Sequence, residues 1–271
     1  MQTFRDVLDV TRLDETTFRL DVPDGWQQGR GAYGGLVIGA MVRAAMAFVG
    51  DETRRVRSVQ AECLAPVPVG PAMVCVEPVR VSSSLAVVRV SVRLADDPSK
   101  AASAETLFHG TVLCARARPE VPAWSRSVAP PMAPVASLAA LPVDVTAMPV
   151  FTQHFEYRLA GPAPYGAASE ARAEGYVRAR RAGERIDAAM IAALADCYWP
   201  AVLSTFTAVR PIATISFALA LHDDRLEPHE PVYHHAVCNE LHDGYAHETR
   251  ELWSPDGRLL ATNQQVVAVI R

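Results

Sequence analysis

The segment Asp187 to Val202, DAAMIAALADCYWPAV, predicts a helix that is apolar on almost every side. Such a helix needs other elements to enclose it, because it has no polar face to present to water. One carboxylate, Asp196, nevertheless lies in its middle. Pro200 offers no N–H to the carbonyl of Asp196, so we expect a kink just beyond the acid. A buried charge is costly without compensation, so Asp196 has either polar partners or a chemical role.

Segments with strand character follow this helix in the sequence, and the same order of helix and strands occurs in the first half of the chain. Residues 34–50, GGLVIGAMVRAAMAFVG, also predict a helix, and each helix is followed by four segments with strand character. A long apolar helix and a meander of antiparallel strands bury both apolar faces if the sheet curls around the helix. We therefore predict an α+β double hotdog fold. The eight strand segments are residues 55–67, 72–81, 85–95, 104–118, 214–223, 232–241, 246–257 and 258–271.

The segment between these two halves is rich in proline and small residues. Residues 119–149 show neither helical nor alternating periodicity, which is typical of a connector. We predict an N-terminal hotdog over residues 1–118, this connector, and a C-terminal hotdog over residues 150–271 that carries the catalytic residues.

Composition excludes several functional classes. A net charge of −4 and a pI near 6.1 argue against a nucleic-acid surface, which needs concentrated positive charge. The first ten residues carry charges where a signal peptide needs an apolar core, and Arg43 interrupts the longest apolar run. We expect a cytoplasmic protein that binds neither nucleic acid nor membrane.

The cysteines are odd in number and include no CxxC pair, which favours reduced thiols over disulfides. They are Cys63, Cys75, Cys114, Cys197 and Cys238.

The histidine-rich stretch near the C-terminus suggests a metal site only superficially. It has neither an HxxxH helix nor a carboxylate at ligand spacing, and alternation along a strand would scatter its side chains over two faces. We expect solvated histidines and no metal or other cofactor. The residues are His229, His234, His235, His242 and His247.

Two polar residues fall on predicted strands where apolar ones would be less costly. Thr214 lies on the first strand after the Asp196 helix, and Gln265 lies on the last strand. A hydroxyl, a carboxamide and a carboxylate that converge can hold one water molecule. Thr214 and Gln265 would orient that water and Asp196 would deprotonate it, as hydrolysis of an activated acyl group requires.

The whole chain resembles the TesB-type (thioesterase II) acyl-CoA thioesterases. The resemblance rests on RGAYGGLVIGAMVRAA, ALADCYWPAV, IATISFALALH and LLATNQQVVAVIR, in the family's order and spacing. It implies a catalytic role for Asp196, Thr214 and Gln265. The chain departs from the family's prototype at Ser216 to Ala218 and at residues 59–70, so its acyl-chain preference does not follow from the resemblance.

Further residues are candidates for contact with the substrate. Gly34 and Gly35 open the first helix, where free amides can polarise a carbonyl, although glycine also permits close helix–strand contact. Tyr33 either lines the acyl pocket or packs against the helix start. We also place Trp199 on the substrate side.

These features together predict an acyl-CoA thioesterase that hydrolyses its substrate to a carboxylic acid and CoA. We expect a homo-oligomer, because isolated units leave sheet edges exposed, and one active site per chain. Two alternatives remain: a hotdog-fold enoyl-CoA hydratase or dehydratase, which commonly pairs a His with an Asp, and a non-catalytic acyl-CoA binding module. The helix supplies no His near Asp196, and a binder gains nothing from a buried carboxylate.

Overall fold

The computed structural model describes residues 2–270, and within them the chain forms two α-helices, Gly34–Val49 (α1) and Ala188–Leu194 (α2). Short 3-10 helices occur in several connections. The strands are Thr11–Arg12 (β1), Thr17–Val22 (β2), Gln27–Gln28 (β3), Gly31–Ala32 (β4), Arg54–Cys63 (β5), Gly70–Val81 (β6), Leu85–Arg93 (β7), Thr106–Arg116 (β8), Phe155–Leu159 (β9), Arg172–Ala179 (β10), Ile212–Leu221 (β11), Val232–His242 (β12), Tyr245–Trp253 (β13) and Leu259–Val269 (β14).

Twelve of the described strands form one antiparallel sheet in the order β1-β2-β6-β7-β8-β5-β11-β14-β13-β12-β10-β9. The first six come from the N-terminal half of the chain and the last six from the C-terminal half. The halves meet where β5 pairs with β11, with Gln60 opposite Ala218 at the centre of the pairing. The central strands of the sheet therefore come from both halves of the chain.

The eight strands predicted from alternation are all present, with ends that shift by a few residues, as is the first helix. In β7, for example, Ala86, Val88, Val90 and Val92 are buried, as alternation requires. The prediction for the last strand extends to Arg271, which, like Met1, lies outside the described residues. The strands β1 to β4, β9 and β10 were not predicted from the sequence, although β2 alternates and buries Phe18, Leu20 and Val22.

The second helix differs from its prediction. It ends at Leu194, so Asp196 lies two residues beyond the helix rather than in its middle. Pro200 disfavours helical geometry at Trp199 and removes an amide that the helix would use. The chain consequently turns after Leu194, and residues 201–205 form a separate 3-10 helix. The predicted kink is in fact a helix end.

The two helices pack antiparallel at very short range. A methyl group at Gly35 would come within 2.5 Å of the carbonyl oxygen of Ala193, and one at Gly39 within 3.1 Å of that of Ala189. Only glycine at such positions allows two backbones to approach so closely. Both helices belong to one continuous hydrophobic core with the inward side chains of the strands. This contact brings the end of α2 to the beginning of α1.

The Pro-rich connector lies partly against the sheet. The ring of Tyr176, with Tyr233 and Trp253, forms a small apolar cluster on which connector residues pack. The hydroxyl of Tyr176 also donates a hydrogen bond to the carbonyl of Ala133 at 2.9 Å. The connector therefore covers part of the C-terminal half. No helix within residues 2–270 combines the length and the apolar character needed to span a membrane.

Candidate active site

Asp196 lies where the end of α2 meets the beginning of α1. A methyl group at Gly34 would come within 2.8 Å of its Oδ2 atom. The backbone amide of Gly35 faces the carboxylate and lowers its pKa. The first amides of a helix have no intrahelical acceptor and carry partial positive charge, so they stabilise an anion at this position. The amides at the start of α1 therefore help to hold Asp196 in its ionised form.

Thr214, Gln265 and Asp196 form one connected chain of hydrogen bonds. The Nε2 of Gln265 donates to Oδ1 of Asp196 at 3.1 Å, and the hydroxyl of Thr214 donates to Oε1 of Gln265 at 3.2 Å. Gln265 is buried and also donates to Oδ1 of Asn263 at 3.0 Å. The three residues that the sequence selects thus converge, although Asp196 comes from a turn and the other two from neighbouring strands.

A β-bulge brings Thr214 into this chain. The pairing of β11 with β14 shifts by one residue between Thr214 and Ser216, and it places Thr214 opposite Val267. Val267 and Gln265 share the inward face of β14. Without the bulge, Thr214 would lie on the opposite face from Phe217, which pairs with Gln265. The bulge therefore turns the hydroxyl inward, as bulges near active sites often do.

The environment of Asp196 suits a base at neutral pH. Burial raises its pKa above the ordinary value of 3.8 because the charged form is desolvated. The nearby guanidinium of Arg250 opposes this shift, as do the hydrogen bond from Gln265 and the amide of Gly35, whereas the charge of Glu248 reinforces it. The carboxylate is thus a stronger base than an exposed aspartate while it still has partners for its charge.

Tyr33 has a structural position beside this site. It is fully buried, its hydroxyl donates to the carbonyl of Ala193 at 2.5 Å, and its ring stacks on Phe151 with centroids 4.3 Å apart. These contacts tie the start of α1 to the end of α2. Of the two roles considered for Tyr33, packing at the helix start has direct structural support.

The two glycines that open α1 give a paired prediction. We expect Gly34→Ala to lower kcat about 10-fold with little loss of stability, because its methyl group would push against the carboxylate of Asp196. We expect Gly35→Ala to destabilise the fold by about 1–3 kcal/mol, because its methyl group meets the carbonyl of Ala193 and the hydroxyl of Tyr33. Thermal unfolding and steady-state kinetics measure both. Equal effects of the two changes on stability would contradict this assignment.

A buried apolar cluster lies beside the polar chain. Val202, Leu203, Ala246 and Val267 form a hydrophobic cluster separate from the main core. Val267 is also the strand partner of Thr214. Half-buried Trp199 packs against both clusters. These four buried residues are called the Val267 cluster below.

A buried ion pair near Asp196 was not predicted from the sequence. Glu248 and Arg250 lie on the inward face of β13, and their side chains are 0% and 1% exposed. The carboxylate Oε2 of Glu248 and the guanidinium NH2 nitrogen of Arg250 are 2.9 Å apart. Alternation along β13 could have indicated the pair. One face of the strand carries Ala246, Glu248, Arg250 and Leu252, so two opposite charges interrupt an otherwise apolar face.

One histidine differs from the expectation of solvated side chains. His234 is completely buried, and its Nε2 lies 2.8 Å from the carbonyl oxygen of Leu194. Burial, with the charge of Arg250 nearby, lowers the pKa of His234 to about 3, so its ring is neutral near pH 7. His235 and His242 instead lie beside surface carboxylates. Among residues 2–270, no group of three or more His, Cys, Asp or Glu side chains is arranged to hold a metal ion.

Two cavities in the described part of the chain are lined by residues other than Asp196. A cavity of about 310 Å³ is lined by Gln265, Glu248 and neighbouring sheet residues. A second cavity, of about 820 Å³, lies at the other end of the helices, near Val49 and Asp187. Its arginines face a comparable number of acidic groups, so it is not a strongly positive pocket. The polar chain at Asp196 therefore remains the site with organised chemistry.

Comparison with family models matches both halves of the chain. The model of the acyl-CoA thioesterase C-terminal domain matches residues 129–269, and that of the N-terminal domain matches residues 22–115. The C-terminal match includes Asp196, Thr214 and Gln265. The comparison with curated proteins gives no significant match.

Solved structures of similar fold cover nearly the whole chain. A hotdog-fold protein from Alicyclobacillus acidocaldarius is 23% identical, with a TM-score of 0.85 over 100% of this chain and 99% of that one. A TesB protein from Mycobacterium avium subs paratuberculosis is 15% identical, with a TM-score of 0.77 over 98% and 97%. The acyl-CoA thioesterase II TesB2 from Mycobacterium marinum is 16% identical, with a TM-score of 0.72 over 97% and 96%. These similarities establish a hotdog fold.

Proposed function

The chain belongs to the acyl-CoA thioesterase family, and from this premise we propose that it hydrolyses an acyl-CoA thioester to a free carboxylic acid and CoA. One observation carries the proposal. The hydrogen-bonded chain of Thr214, Gln265 and Asp196 supplies a base of raised pKa together with two neutral groups that orient a nucleophile.

The reaction needs one water molecule as nucleophile and no covalent enzyme intermediate. Asp196 accepts a proton from the water while its oxygen attacks the thioester carbonyl carbon. Thr214 and Gln265 hold that water in line. Because the amide of Gly35 faces Asp196, the amide of Gly34 is the one that stabilises the developing oxyanion. The tetrahedral intermediate then breaks its C–S bond. The CoA sulfur leaves with the proton from Asp196, which restores the carboxylate.

In this proposal the acyl group lies against the Val267 cluster. The cluster begins beside Thr214, so an apolar chain placed there keeps its carbonyl near the base. Trp199, which packs against this cluster, contacts the acyl group. Tyr33 supports the start of α1 through its hydrogen bond to Ala193. Burial of each methylene of the chain contributes about 0.8 kcal/mol to binding.

The architecture of the proposed enzyme is a double hotdog. Residues 1–118 form one unit, residues 119–149 connect the units, and residues 150–271 form the catalytic unit. The contribution of six strands by each half supports this division. We also propose a cytoplasmic homo-oligomer that acts without metal or redox cofactor, because the proposed hydrolysis needs neither.

The N-terminal half repeats the bulge of the catalytic strands without their polar residues. The pairing of β5 with β8 shifts between Val56 and Ser58, as that of β11 with β14 shifts beside Thr214. By this correspondence Val56 takes the place of Thr214, and Val112 takes the place of Gln265. Two apolar side chains cannot orient a water molecule.

We therefore predict one active site per chain. The start of α2 is already occupied by Asp187, which accepts hydrogen bonds from its first amides and lies 2.7 Å from both Arg5 and Arg43. Titration calorimetry with a non-hydrolysable acyl-CoA thioether should give a stoichiometry of one. Two equivalent sites per chain would contradict this prediction.

The function is tested by thiol release from short, medium, long and aromatic acyl-CoAs. We expect hydrolysis of at least one class, with a dependence on chain length that identifies the depth of the pocket. Hydration of enoyl-CoA without thiol release would instead indicate the hydratase alternative, although the neutral, buried His234 gives that reaction no suitable acid. Tight acyl-CoA binding without any turnover would indicate a binding module.

A further inference from the structure

The turn that carries Asp196 is held by side-chain donors from several elements. Ordinarily the last carbonyls of a helix are left without partners, and when buried they need substitutes. Here His234 bonds to Leu194, Tyr157 to Cys197, and Arg250 to both Ala195 and Tyr198. The distances from these donors to the carbonyl oxygens are 2.8, 3.0, 3.1 and 3.4 Å, with Arg250 giving the last two.

Arg250 is the member of this group that spans the turn. Its NH1 nitrogen donates to the carbonyl before Asp196 and to the one two residues after it. Its other nitrogens bind Oε2 of Glu248 at 2.9 and 3.2 Å, while Oε1 of Glu248 accepts the amide of Val202 at 3.1 Å. The ion pair on β13 therefore fastens the chain on both sides of the acid.

We propose that Arg250 is a positioning residue, which fixes the turn bearing Asp196 and, with Glu248, forms the charged environment of that carboxylate. The proposal rests on the proposed function insofar as Asp196 is the base. A buried ion pair contributes little net stability compared with apolar residues of similar size. A role in orienting the carboxylate of Asp196 accounts for a buried ion pair at this position.

The surroundings of Asp196 support an electrostatic contribution from this pair. Arg250 lowers the pKa of Asp196 and Glu248 raises it. The other titratable groups near the carboxylate are neutral at pH 7, because burial raises the pKa of each thiol and phenol and lowers that of the imidazole. These neutral groups are Tyr33, Cys63, Cys197 and His234. Changes in the charged pair should therefore dominate the titration of Asp196.

The test compares Arg250→Met, Arg250→Lys and Glu248→Gln through pH profiles of kcat and kcat/KM. A general base is active when ionised, so activity rises with pH through its pKa. We expect Arg250→Met to move this acidic limb to higher pH and to lower kcat about 10–100-fold. Glu248→Gln should move the limb to lower pH. Arg250→Lys keeps the charge, so its limb should stay close to wild type while kcat falls, because an ammonium does not match the guanidinium fork.

The double variant Glu248→Met/Arg250→Met is the control for effects on stability. Removal of one partner leaves a buried unpaired charge, whereas replacement of both by apolar residues is commonly neutral or stabilising. If the pair were only structural, the double variant would recover wild-type kcat and KM along with its thermal stability. We expect recovered stability, unchanged KM and a kcat that remains low.

A readout that needs no turnover separates this proposal from the proposed function. The carboxyl carbon of Asp196 can be titrated by NMR in ¹³C-labelled protein, with Asp196→Asn for assignment. Its midpoint should rise in Arg250→Met and fall in Glu248→Gln even if no thioester is hydrolysed. Unchanged midpoints in folded variants would overturn the inference about Arg250, whereas absence of hydrolysis in wild type with shifted midpoints would overturn only the function.

Discussion

Asp196→Asn should reduce thioester hydrolysis by about 10²–10⁴-fold while acyl-CoA binding persists. The amide cannot accept the proton of the attacking water. It is nearly isosteric with the carboxylate, so Gln265 can still donate to its oxygen. Thiol release under saturating substrate measures the loss, and calorimetry with an acyl-CoA thioether measures the retained binding.

The same variant should be more stable than wild type at neutral pH. Asp196 has a raised pKa in the folded protein, so its contribution to stability is fully present below the unfolded pKa and is lost as pH rises through the folded pKa. Asn carries no charge to desolvate. Its melting temperature should therefore exceed that of wild type at pH 7, and the difference should vanish in acid.

Asp187→Asn is the matched control, since it removes a carboxylate from the same segment. Asp187 pairs with Arg5 and Arg43 and caps α2 far from the reacting groups. We expect a lower melting temperature and unchanged kcat. Full activity in Asp196→Asn, or equal losses of kcat in the two variants, would refute the role of Asp196 as base.

Gln265→Glu should lower activity at neutral pH about 100-fold and move the acidic limb of the pH profile upward. The Nε2 of Gln265 is 3.1 Å from Asp196, so glutamate at this position would place two carboxylates in one buried site. Two such groups share a proton, which raises the pKa of the pair. Because the base must be ionised, activity should recover partly as the pH is increased.

Gln264→Glu provides the control for the added charge. Gln264 is exposed and adjacent in sequence, but it lies on the opposite face of β14 from Gln265. We expect a wild-type pH profile and kcat for this variant. Similar profiles for the two glutamate variants would show that the carboxamide of Gln265 has no specific part in the site.

Much of the fold is encoded in local patterns. Strict alternation predicts strands such as β7, and the run of apolar residues after Gly34 predicts α1, because burial on one face repeats with the period of each element. The end of α2 was predicted incorrectly. Apolar residues continue past Leu194, so periodicity alone does not reveal that the turn donors and Pro200 make an early end favourable.

The sequence by itself determined the residue types of the candidate site and the strands and helix pattern that contain them. Tertiary structure alone decided how they meet. The bulge in β11 turns Thr214 toward Gln265, and the close contact of the helices places Asp196 at the start of α1. The coupling of Arg250 to that turn also depends on tertiary contacts. Each depends on backbone pairs far apart in the chain, whose approach is governed by the packing of the whole core rather than by local preference.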